Sequence, residues 1–149
     1  MYHSDIIGKW KIIRYIEDKF NQKNFELLGS ATFVDKDSLY QYNESGVLKS
    51  DSFESKAHQD YVWILKPDGW KINFSDGSYF HDLALANEEQ HVYHKCINDI
   101  YNGKYILNLP NEFDIKWNVR GPRKEYILSL IHISEPTRRY AISYAVFCL

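Results

Sequence analysis

Between Gly8 and Tyr126 the chain repeats one unit: a short run in which Tyr, Trp, Phe, Ile and Val alternate with polar residues, then a polar turn. KWKIIRYI gives way to EDKFNQKN, GSATFVD to the turn KDS, and LYQYNESG to VLKSDSFES. HQDYVWIL, KPDG, WKINFS, DGS and YFHDLAL follow, then QHVYHKCI, NDIYNGKYILNL, PNE, and FDIKWNVRG running into PRKEYIL. Period two sends successive side chains to opposite faces of a pleated strand, and turn signals every ~8–12 residues are the spacing of an antiparallel sandwich or barrel. No window keeps a 3.6-residue apolar period over a helix length, and only SDIIGKW predicts a short N-terminal turn. Strands in meander order with tight turns close most simply as an up-and-down barrel, which removes exposed sheet edges. The expected architecture is all-β and antiparallel, in one domain with no linker or long repeat.

Composition supports this class and narrows the partners. The 149 residues suffice for one core that withdraws roughly 70% of the unfolded surface from water. Aromatic residues make up 16% of the chain, and such rings sit best on pleated, half-buried surfaces. A formal net charge of -2, mixed in sign, is too weak a field for a polyanion, so no nucleic-acid partner is expected. The apolar run at the N-terminus is broken by Gly8 and Lys9, unlike the core of a signal peptide, and no stretch approaches the ~20 apolar residues of a membrane span. The expectation is a cytoplasmic protein with no membrane partner; the sequence does not reveal its oligomeric state.

Period two also decides which side chains can cooperate. Arg14, Ile16 and Asp18 share a face, as do Tyr42 and Glu44, Tyr61 and Trp63, Trp117 and Val119, and His94 and Cys96, while His91 points away from His94. Arg14, Tyr42, Glu44, His81, His94, Arg123 and Lys124 are the polar candidates for a ligand at the barrel mouth, with walls from Trp63, Phe74 and Trp117. Arg14 and Glu44 could equally satisfy each other as a partly buried ion pair. In GPRK, Gly121 and Pro122 force a bend or bulge, after which Arg123 either grips an anionic group of the ligand or pairs with Asp18, Asp76 or Asp99. Acid–base chemistry on a small organic acid would use His94 with Asp99 or His81 with Asp76, and Cys96 beside His94 is a possible nucleophile. No HxH, CxxC, G-x-S-x-G or phosphate-loop spacing occurs, so neither a metal nor a cofactor is expected. The leading expectation is a barrel binding a small, partly apolar, anionic molecule. The alternatives are an enzyme on that barrel and a structural or protein-interaction domain with a filled core.

The residues Gly8, Trp10, Arg14, Ile16, Asp18, Tyr42, Glu44, Gly46, Tyr61 and Trp63 begin a longer pattern. It continues through His94-x-Cys96-x-x-Asp99-x-Tyr101 to Trp117-x-Val119-x-Gly121-Pro122-Arg123-Lys124. The pattern resembles an uncharacterised family of lipocalin-like domains, the domain of unknown function 6314, and the resemblance implies a calycin-type barrel but no reaction. Gln59 stands where that family usually carries a basic residue. A second resemblance concerns the end of the chain. LSLIHISEPTR and ISYAVFCL, from Leu128 onward, are similar to two pieces of a translated sequencing-library adapter. This implies a barrel domain of residues 1–127, an adapter-derived tail of 128–149, and a barrel incompletely closed at its C-terminus. Without the tail, two arginines and one glutamate are lost, the net charge becomes -3, and Cys96 is the only cysteine left.

Overall fold

A computed structural model describes residues 1–135. One 3-10 turn, His3–Ile6, precedes ten strands. They are β1 (Gly8–Asp18), β2 (Lys23–Asp35), β3 (Leu39–Ser50), β4 (Phe53–Lys66), β5 (Gly69–Phe74), β6 (Tyr79–Ala84), β7 (Glu89–Cys96), β8 (Asp99–Asn108), β9 (Glu112–Gly121) and β10 (Lys124–Ser134). All lie in one antiparallel sheet, ordered β6-β5-β4-β3-β2-β1-β10-β9-β8-β7. The sheet curls into a nearly closed barrel. Its interior is filled by the inward set that alternation selects, including Trp10, Ile12, Phe33, Trp63, Leu107 and Phe113. Burying each such side chain stabilises the fold by about 1.5–3 kcal/mol.

The C-terminal strand is sealed on both edges. β10 pairs with β9 and, from Trp10 opposite Ser134 to Asp18 opposite Tyr126, with β1. It runs through residue 127, the boundary read from the sequence, because Leu128, Leu130 and His132 continue the inward alternation while Ser129, Ile131 and Ile133 take the other face. The expected gap at the C-terminus is therefore corrected: the one unsealed seam lies in mid-chain, between β6 and β7. No ladder joins these strands. Instead the Gln90 side chain accepts from Ala84 N–H (2.8 Å) and donates to the Ala84 carbonyl (2.7 Å), and His94 Nδ1–H donates to the Phe80 carbonyl (3.1 Å).

The hairpin turns at residues 19–22, 51–52, 75–78, 97–98 and 122–123 all fall at one end of the barrel, the mouth. The other end is closed by the N-terminal turn. Ile6 is fully buried there, Trp10 Nε1–H donates to the Ile6 carbonyl (2.9 Å), and His3 Nε2 reaches the Lys66 carbonyl (2.8 Å). β3 runs straight through Gly46, and of the bend or bulge expected at GPRK the bend is realised, as a plain hairpin turn. Gly121 leaves room there for a carboxylate, since a Cβ would stand 1.9 Å from Asp99 Oδ1 and oblige that side chain to shift.

Candidate functional site

Alternation along β1 and β3 brings Arg14, Tyr42 and Glu44 into the barrel, and β10 adds His132 opposite them. The Arg14 guanidinium pairs with Glu44 Oε1, so the ion-pair alternative is the one realised, and both residues are buried. Glu44 can only accept, so the Tyr42 hydroxyl donates to Oε2. Its oxygen then accepts from His132 Nε2–H at 2.7 Å. Two atoms of this hydrogen-bond network, Arg14 Nε and His132 Nδ1, are buried without a partner. Burial and the nearby Arg14 charge hold His132 neutral, well below the ordinary histidine range. Burial first, then the Glu44 charge, pushes the Tyr42 phenol well above its ordinary value.

This cluster floors a small inner cavity of about 60 Å³, which Trp63 and Trp117 help to line. Toward the mouth lies a larger chamber of about 330 Å³, walled by Phe74, Phe80, His94, Tyr101, Trp117 and Tyr126, with Cys96 at its edge. The two spaces share Gln59, Tyr61, Phe80, Trp117 and Leu128. Phe80 lies nearly parallel to Trp117, with centroids 5.1 Å apart, and to Tyr61 at 5.7 Å. Phe80 reaches this position because a register shift beside Ile72 and Asn73 breaks the alternation of β6, burying both Phe80 and His81.

Of the ten residues predicted from sequence, Arg14, Tyr42, Glu44, Trp63 and Trp117 meet at the inner cavity, and Phe74 and His94 line the outer chamber. His81 lies behind the wall. Its Nδ1–H donates to the Asp82 carbonyl (2.9 Å), so Nε2 accepts from the Tyr105 hydroxyl (3.0 Å), and burial lowers its pKa to about 4. Arg123 and Lys124 lie outside both spaces, on the rim. The salt bridge expected of Arg123 is made by Lys124 instead, to Asp99 at 3.0 Å, because the hairpin turn leaves Arg123 exposed at its tip. Neither proposed His–carboxylate pair is assembled: Asp76 holds Ser78 in its own turn and Asp99 binds Lys124. Among the described residues, no three His, Cys, Asp or Glu side chains cluster as metal donors.

Gln59, Tyr61, Phe80, Tyr101, Tyr126 and Leu128 complete the site without having been proposed as site residues. Period two gave several of them the right face, but no local signal said which inward residues border empty space rather than packed core.

No curated protein matches this chain in sequence. Among solved structures, the S-type phycobiliprotein lyase CPES from Guillardia theta superposes with a TM-score of 0.59 at 9% identity, over 89% of this chain and 89% of that one. That likeness establishes the shared fold. Residues 6–132 match the model of a family of unknown function, DUF6314, and the chain belongs to that family.

Proposed function

We propose that the barrel binds a small, partly apolar molecule, held in the outer chamber with a polar group directed at Gln59, Tyr61 and the Arg14–Glu44–Tyr42 cluster. One observation carries this reading: an aromatic-walled space of about 330 Å³ at the mouth narrows onto a buried polar floor. That volume and lining match the lower end of small-molecule sites, which are mostly apolar with few polar groups. One superposable solved structure is a phycobiliprotein lyase, a neighbour consistent with a small-molecule role for such a barrel.

The charge arrangement refines the ligand. Glu44 already neutralises Arg14, so the floor suits an uncharged polar group, and a negative group fits better at the rim, where Arg123 is exposed. The test uses the neutral probe N-phenyl-1-naphthylamine. Its fluorescence should rise on binding to the wild-type chain, and Leu128→Trp, which fills the junction of the two cavities, should abolish that rise. Undiminished binding to the filled variant rules out the chamber as the site. Tighter binding of 1-anilinonaphthalene-8-sulfonate, with the gain removed by Arg123→Ala, would establish the anionic preference at the rim.

A further inference from the structure

The rim of the mouth is not uniform. Because β10 lies between β1 and β9, the turns β7/β8, β9/β10 and β1/β2 are consecutive around the opening. Lys19 N–H and Phe20 N–H both donate to the Glu125 carbonyl (2.8 and 3.2 Å), holding the first of these tips against β10. This arc presents Phe20 at 54% and Ile97 at 84% exposure. Ile97 also has φ 55°, a left-handed conformation that a β-branched residue rarely adopts. A large apolar side chain held there gains nothing from the core, and such outliers concentrate at functional surfaces.

The charges of the arc have one sign in surplus. Lys19, Lys23, Lys95 and Arg123 are exposed and form no ion pair among the described residues. Of the carboxylates there, Asp99 is neutralised by Lys124, whereas Asp18, held by the uncharged Asn21, and Glu125 keep their charges, so four free cations outnumber two free carboxylates. The remaining turns, β3/β4 and β5/β6, carry Asp51, Glu54 and Asp76 against the single cation Lys49, a net negative charge.

We propose that the arc formed by Phe20, Ile97 and these four cations seats the barrel mouth on the surface of an anionic lipid bilayer. Apolar side chains flanked by Lys and Arg are the pattern of interfacial binding, in which rings and branched chains enter the headgroup boundary while cations meet acidic lipids. The expectation of no membrane partner rested on the lack of a hydrophobic span, a separate matter from contact with the surface. Seated this way, the outer chamber faces the bilayer, and an apolar ligand could pass between them with little exposure to water.

The test is co-sedimentation of the full chain with phosphatidylcholine vesicles, with or without phosphatidylserine, at low and high salt. The chain should bind only the phosphatidylserine vesicles, and added salt should weaken that binding. Lys95→Gln and Arg123→Gln should each lower affinity about fivefold. Phe20→Ser combined with Ile97→Asn should lower it at least tenfold, whereas Phe53→Ser, on the acidic side, should leave it unchanged. Asn tolerates the left-handed conformation, so the hairpin persists, and an unaltered thermal melt verifies this. Equal binding to both vesicle types, or no loss in the Phe20/Ile97 variant, overturns the proposal. So does capture of poly-glutamate through the same residues with no vesicle binding, which would mark the arc as a surface for an acidic protein.

Discussion

The barrel is closed by two joints of different kinds. β1 and β10 are sewn together by a backbone ladder running from Trp10 to Asp18, whereas β6 and β7 are held by the Gln90 and His94 side chains and by packing beneath them. A backbone ladder asks little of sequence beyond alternation, which is why a segment resembling adapter sequence can complete it. The side-chain joint depends on particular residues, since replacing Gln90 or His94 removes its bonds outright. The first joint still carries a mark of imperfect fit: His132 is fully buried with Nδ1 unpaired, a cost of about 1–3 kcal/mol.

This contrast can be broken or sharpened in order of effect. Deleting residues from Leu128 onward removes most of β10 and frees the edges of β1 and β9; we expect loss of the cooperative urea transition, and retention of it would show that β10 is dispensable. Glu44→Ala leaves the Arg14 charge buried beside the β10 joint without its partner and should cost about 3–5 kcal/mol in urea unfolding, while Glu44→Gln should recover part of this through hydrogen bonding.

The third prediction concerns pH. His81 on β6 reaches past β7 to Tyr105 on β8, and its folded pKa of about 4 lies below its ordinary 6.5. Above that ordinary value both folded and unfolded chains carry it neutral. As pH falls below 6.5, only the unfolded chain gains the proton, so stability drops until about pH 4, by roughly 3 kcal/mol. His132, also depressed, acts in the same direction. A stability profile flat from pH 7 to 4 would contradict the buried, neutral assignment. The smallest effect is expected at the seam itself. Gln90→Leu should cost about 1 kcal/mol and raise hydrogen exchange in β6 without disturbing β1 or β10.

Much of this molecule was legible because strands obey a period of two. The inward sets Arg14 with Ile16, Tyr42 with Glu44, and Trp117 with Val119 follow from spacing alone, as did the Arg14–Glu44 pair as one alternative. Three things were not legible, each for a physical reason. Ion-pair choice at the rim depends on how a turn aims its tip, so Lys124 rather than Arg123 found Asp99. His81 could not be placed on the correct side of the wall, because the register shift near Asn73 leaves no clear sequence signal. The seam was sought at the C-terminus, although the short strands β5 and β6, followed by an irregular link at 85–88, locate it in mid-chain.

Gly103 on β8 has no side chain, and the indole of Trp117 rests in the gap: a Cβ at that position would come within 2.5 Å of its ring. The width of the chamber is therefore governed by a hydrogen atom. A single methyl group, Gly103→Ala, would have to displace the indole or the strand, converting backbone bareness into a steric setting for what the barrel can admit. The same indole borders both cavities, so its emission offers a built-in optical report of whatever arrives.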